Sequence, residues 1–270
     1  METKQLSAIP ETMLIPLWAK ATETINNGGL LHDETAVEIF QKLDYDFSKF
    51  KKATMSQVGC CVRANLIDQE TKAFLKQHPD AVVIQLGAGI DARYQRLGMP
   101  AVTHWYDLDL KETIDLRRQL IPETEKNTYI ALSMFDYQWI DTVKAAGKPV
   151  LIIIEGVLMY FEPQLVKDFF ITLCNRFDRA TILMDMLSYM LVKHNKQHDA
   201  LKKMDKEAEF KWSVLHTEEM EAWHPKLHLG KEYFMSDYTQ GRFPLIARLA
   251  YRIPYFHRHG NQRIVRLEIE

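Results

Sequence analysis

The hydrophobic positions change their period part-way along the chain. Leu14, Leu17, Trp18, Ala21 and Ile25 recur at helical spacing over 12–27, and Gly28-Gly29 closes the segment. A second helix is predicted over Asp33–Leu43 with Asp33 as its cap, and a long third over Met55–Gln77, ended by Pro79. From Ala81 the rhythm alternates. Strands are predicted over Ala81–Leu86, Val102–Asp107, Tyr129–Leu132, Val150–Ile154 and Thr181–Asp185. Between them lie helices over Ala92–Leu97, Lys111–Leu120, Tyr137–Ala146 and Gln164–Arg176. Strands separated by helices pair in parallel, with helices on both faces. The unbroken run Leu151-Ile152-Ile153-Ile154 suits a strand buried on both sides. Residues 189–211 read as a highly charged helix, either a solvated face or a lid. Arg263 to Ile269 alternates as a terminal strand should. The pattern predicts an α/β fold: a helical cap over 1–79, then a core over 80–270 with a helical insertion at about 189–225.

Composition adds mostly exclusions. The chain has 270 residues, 47% hydrophobic and 26% charged, with a net charge of −2. That balance suits a globular domain and gives no electrostatic case for nucleic acid. Cys60, Cys61 and Cys174 have no metal-ligand spacing and suit buried thiols in a reducing compartment. The first eleven residues lack a signal-peptide core, and the longest apolar run, Val150 to Ile154, is too short to span a bilayer. A cytoplasmic protein with no membrane partner is expected. His194 and His198 keep i, i+4 spacing without the acid of a zinc motif, so no metal is expected.

The chemistry concentrates where the first predicted strand stops. Val82 to Leu86 runs into Gly87-Ala88-Gly89, and a helix follows. Glycines there let the backbone turn sharply and approach a ligand. About 20 residues on, Asp107 and Asp109 offer carboxylates to a ribose. Gly87 to Ala92 also satisfies the dinucleotide pattern. Asp91, however, sits where a pyrophosphate would meet the helix N-terminus and repels it, unless Asp91 serves only as a helix cap. A cofactor with an amino acid group and no phosphates avoids that conflict, and S-adenosylmethionine is the candidate.

Ligands in parallel sheets bind beyond the carboxyl ends of the strands. Ser133-Met134-Phe135-Asp136 follows the third strand, with Asp136 suiting a helix cap, and Glu155-Gly156 follows the fourth. Glu155 comes directly after five apolar residues, so it needs a partner. Arg63, on the helix before the first strand, either reaches this crevice or lies on the surface.

Together these blocks resemble the leucine carboxyl methyltransferase family, and its bacterial tetracenomycin-type polyketide O-methyltransferase branch more closely. The matching stretches are Glu11 to Lys20, Leu86 to Arg93, Trp105 to Asp109, Ser133 to Trp139 and Glu155 to Phe161, in order over about the first 170 residues. The resemblance implies a class I methyltransferase: a Rossmann-like, mostly parallel seven-stranded sheet binding S-adenosyl-L-methionine. It also implies roles. Arg63 holds the cofactor carboxylate, with Gly87, Ala88 and Gly89 under the methionine portion. Asp109 takes the ribose, Ser133 and Met134 face the adenine, and Glu155 faces the amino end. Serine at 133 departs from the acidic residue of the leucine carboxyl branch. Lys20 is assigned no role. The implied reaction is in-line methyl transfer to a carboxylate or hydroxyl of a small molecule. A hydroxyl would need a base, for which Glu155, Tyr160 or a C-terminal histidine is available. Two other readings stand beside it: an NAD-linked oxidoreductase, and a non-catalytic cofactor-binding regulator.

Overall fold

A computed structural model describes residues 11–143, 145, 147–192 and 209–270. Three helices open the chain: α1 (Leu14–Ile25), α2 (Glu34–Lys42) and α3 (Thr54–Gln77). Asp33 caps α2 by accepting from the Ala36 backbone N–H at 2.9 Å, as its position in the sequence predicts. The strands are β1 (Val82–Leu86), β2 (His104–Asp109), β3 (Asn127–Ala131), β4 (Val150–Ile154), β5 (Ala180–Met186), β6 (Leu227–Phe234) and β7 (Arg263–Ile269). Their order in one sheet is β3-β2-β1-β4-β5-β7-β6. The first five pair in parallel, and β7 runs antiparallel between β5 and β6. The intervening helices are α4 (Arg93–Arg96), α5 (Lys111–Leu120), α6 (Gln138–Thr142) and α7 (Pro163–Arg176). Two more, α8 (Leu245–Ala250) and α9 (Pro254–Gly260), lie between β6 and β7.

Each face of the sheet has its own core. On one, Leu17, Ile39, Ile67 and Leu116 from α1, α2, α3 and α5 pack on Val83, Leu151 and Leu183. On the other, Trp139 of α6 and Phe169, Phe170 and Leu173 of α7 pack on Ile84, Ile152 and Ile182. Burial on both faces explains the continuous apolar reading of β1 and β4, whose residues are all buried.

Several expected boundaries move. β2 starts and ends two residues later than its apolar pattern, so Asp107 lies within the strand and Asp109 ends it. Asp107 is tolerated there because Arg117 (2.7 Å), Asn127 (2.8 Å) and the Trp105 indole (3.1 Å) all donate to it. α6 stops at Thr142, where the backbone turns extended at Val143 and buries that side chain. The helix expected over 189–211 falls largely on 193–208, outside the described residues, as do His194 and His198. Tyr189–Leu191 is one 3₁₀ turn, 209–214 has no regular structure, and Thr217–Trp223 is a 3₁₀ helix rather than an α-helix. No helix among the described residues is long and apolar enough to cross a membrane.

Candidate active site

The strand order reverses between β1 and β4, so the crossovers that leave them run to opposite sides and open a cleft beyond their carboxyl ends. Gly87, Ala88 and Gly89 line it from β1, and Glu155 and Gly156 line it from β4. Residues of α1 and the turn before it close one side, and Cys60 and Arg63 of α3 close another. Gly87 and Gly89 both take positive φ (67° and 52°), a conformation that L side chains rarely adopt. The Asp109 carboxylate anchors this turn, accepting from the Gly89 N–H at 2.8 Å and from the Leu110 N–H at 2.7 Å. Burial raises the Asp109 pKa, and those two N–H groups offset part of the rise.

Behind the cleft lies a buried lattice of ion pairs. Arg63 is 8% exposed and pairs with Glu155 (2.9 Å) and Asp185 (3.2 Å), so it is no surface arginine. Asp185 also accepts from the Gly156 N–H at 2.7 Å. A Cβ at Gly156 would stand 3.2 Å from the Arg63 guanidinium, so glycine leaves that arginine its place. Arg93 joins Glu155 to Asp68, and Arg96 joins Asp68, Asp33 and Asp91 at 2.7 to 2.9 Å. Burial alone would lift the Glu155 pKa; Arg93 and Arg63 overcome it and hold the carboxyl at about 2. Asp91 is likewise driven well below its ordinary value, burial being outweighed by Arg96, Lys20 and Arg93.

Three sequence expectations change here. Asp91 is not a helix cap: its oxygens take Lys20, Arg96 and the Gln85 amide. Neutralised by those cations, it is also not a free charge set against a phosphate. Lys20, passed over in the sequence, lies buried in the cleft wall on Asp91. Its signal was present, a lysine amid the apolar positions of α1, but only the fold shows its partner. Glu155 and Tyr160 are poorly suited as bases. Glu155 is held at about 2, and burial pushes the Tyr160 phenol up to about 12.

Asp109, Ser133 and Met134 are not among the residues that line the cleft; Asp109 reaches it through the Gly89 N–H that it accepts from. The Ser133 hydroxyl accepts from the Phe135 N–H at 3.2 Å. Met134 is buried against the opposite core, and Trp139 donates to its carbonyl at 2.9 Å. Asp136 accepts from the Gln138 N–H at 3.2 Å just ahead of α6, but the N-cap position is Tyr137 rather than the expected Asp136, and Tyr137 makes no side-chain capping bond.

Residues 14–174 match the family model described as leucine carboxyl methyltransferase. The chain belongs to that family. It is an S-adenosylmethionine-dependent methyltransferase, and the NAD-linked reading of the glycine turn gives way. The methyltransferase is 29% identical over 236 residues to the tetracenomycin polyketide synthesis O-methyltransferase TcmP of Streptomyces glaucescens, spanning 87% of this chain and 86% of that one. It is 25% identical over 273 residues to the S-adenosyl-L-methionine-dependent methyltransferase dpfgK of Gibberella zeae, spanning 92% and 90%. The fold is shared with the crystal structure of a DUF574 family protein from Streptomyces avermitilis, at TM-score 0.58 and 10% identity over 83% of this chain and 88% of that one. The cleft of this methyltransferase fits an amino acid-bearing cofactor. It offers the Arg63 guanidinium, the two carboxylates of Asp91 and Glu155, and the Gln85 Oε1, a buried acceptor without a donor among the described residues.

Proposed function

We propose that this methyltransferase alkylates an oxygen of an apolar small molecule, and that the oxygen arrives already ionised. In this reading Arg63 holds the cofactor carboxylate, while Glu155 and the Gln85 Oε1 face its ammonium. Gly87, Ala88 and Gly89 pass beneath its methionine portion. Asp109 takes the ribose hydroxyls. Ser133 and Met134, on the loop after β3, face the adenine. The bound cofactor supplies an activated methyl group, and the protein's task is alignment and exclusion of water.

The observation that carries the reading is the second hollow beside the cleft. Cys60, Arg63 and Gln262 line both, and beyond them Met55, Met235, Phe243 and Tyr251 make an apolar wall. Such a wall suits a hydrophobic acceptor. The relative TcmP, an O-methyltransferase of tetracenomycin polyketide synthesis, agrees with an acceptor of that kind. The absence of a suitable base favours an acidic oxygen. Among the described residues lining the cleft no histidine occurs, Glu155 sits at about 2, and Tyr160 at about 12. A carboxylate, or a phenol acidic enough to ionise unaided, needs none of them.

The test is transfer of a labelled methyl group to a panel of polycyclic aromatic carboxylic acids and phenols of graded acidity. The rate should rise with pH through each acceptor's own ionisation. A midpoint that stays fixed from one acceptor to the next would reveal an enzymic base and defeat the proposal.

A further inference from the structure

The segment between β6 and β7 presents an apolar and cationic surface that methyl transfer does not explain. Leu245 and Ile246 of α8 are 66% and 84% exposed, and Leu249, Ile253, Tyr255 and Phe256 are exposed with them. Isolated apolar side chains on a surface are ordinary, but six within twelve residues form a patch. Pro244, Arg248, Arg252 and Pro254 are the other exposed positions of this stretch. Tyr189 and Met190, in the 3₁₀ turn beside α9, extend the apolar area; the Ser188 hydroxyl donates to the His259 carbonyl at 3.2 Å and holds the two together.

Within the α8–α9 stretch the charge is of one sign, the nearby Asp237 carboxylate meeting His257 at 3.1 Å. No aspartate or glutamate occurs between Asp237 and Glu268. Arg242 pairs with Glu23, and Arg258 with Glu232. Arg248 and Arg252 have no carboxylate partner among the described residues. The result is aliphatic and aromatic tips framed by two uncompensated guanidiniums, the composition of a segment that lies in a membrane interface.

We propose that the α8–α9 face docks on an anionic lipid surface. Other occupants suit it less well. A second copy would set Arg248 and Arg252 against themselves with no carboxylate between them. Residues 193–208 carry five lysines against three acids, the wrong sign to cover two arginines. A lipid surface satisfies both halves of the patch, the acyl boundary taking the apolar tips and the headgroups taking the guanidiniums. The location has a consequence. Phe243 and Tyr251, which flank α8, also line the apolar hollow beside the cleft. Docked this way, the hollow lies next to the bilayer, and a hydrophobic acceptor passes in without crossing water. Docking itself stands apart from the proposed acceptor chemistry.

The experiment is co-sedimentation of the full chain with phosphatidylcholine vesicles, with and without phosphatidylglycerol. Binding should require phosphatidylglycerol and weaken with added salt. Arg248→Gln with Arg252→Gln should weaken it about 30-fold, from about 1 kcal/mol per arginine at such a surface. Ile246→Asp should abolish it. Both variants should bind S-adenosylmethionine as the parent does, which shows that they fold. Equal binding to neutral vesicles, no binding to either, or binding that ignores the variants overturns the proposal. So does a dimer in sedimentation analysis that Ile246→Asp splits, or capture by an acidic protein with no affinity for vesicles.

Discussion

At the scale of single residues, the cleft separates groups that hold the fold from groups left to hold a ligand. Asp107 and Asp109 stand two positions apart and have opposite fates. Asp107 is 1% exposed and satisfied by Arg117, Asn127 and Trp105. Asp109 takes the Gly89 and Leu110 N–H groups and a side-chain hydrogen bond from Thr113, and in the proposed reading its remaining lone pairs meet the ribose hydroxyls. Asp109→Ala should therefore weaken S-adenosylmethionine binding by about 1.5–3 kcal/mol, the value of a hydrogen bond to a charged group. Calorimetric titration measures it, and an unchanged affinity in a folded variant removes the ribose role. The sequence marked both acids but could not choose between them, because the choice depends on Arg117 and Asn127, which lie 10 and 20 residues further along. The role of Lys20 stayed hidden for the same reason: its partner is 71 residues away.

At the scale of elements, α3 and α4 are joined by charge as much as by packing. Asp68 of α3 accepts from Arg93 Nε and Arg96 Nε, each at 2.7 Å, in a buried setting. Removing one member of such a set leaves the others unpaired away from water. Asp68→Ala should thus cost about 3–5 kcal/mol, measured by denaturant unfolding. A loss within 1 kcal/mol, as about expected of an exposed pair, would mean that the lattice relaxes or takes in water. The elements bounded by clear turn or cap signals, α3, α5, α7, β1, β4, β5 and β7, keep their expected limits to within a residue. β6 was missed. It is an edge strand with a bulge at Gly230 and the residues His228, Lys231 and Glu232, so it offers neither an apolar run nor strict alternation. α8 and α9 were missed because each is seven residues or fewer, and their apolar side chains face outward.

At the scale of the whole molecule, the buried lattice couples stability to acid. Glu155 and Asp91 have lower pKa values folded than unfolded, so they favour the folded state fully above their ordinary range. For Glu155 that contribution starts to fall near its ordinary value of 4.5 and is spent at about 2. Asp109 and Asp185, raised by burial, act the other way: their cost is present above the folded pKa and is relieved on acidification. A single variant isolates the first effect. The parent should melt above Glu155→Gln at neutral pH, and the gap should close as pH falls from about 4.5 toward 2. A gap in melting temperature that stays constant across that window would show that the Glu155 charge is not what the lattice depends on.

The order of helices and strands through β5, the terminal strand, the parallel α/β class, the glycine turn and the acids at the strand ends were determined by local pattern. Burial on two faces writes itself as apolar runs, and a backbone that must turn tightly under a ligand writes itself as glycine. The tertiary structure alone decided which charges are spent on one another. Arg63 meets Glu155 across 92 residues and Asp185 across 122, and Arg93 meets Asp68 across 25. Such pairings leave no period in the sequence, yet they lower Glu155 to about 2, fill both oxygens of Asp91 and leave the Gln85 Oε1 open. Electrostatic environment depends on distance in space, whereas sequence pattern records distance along the chain.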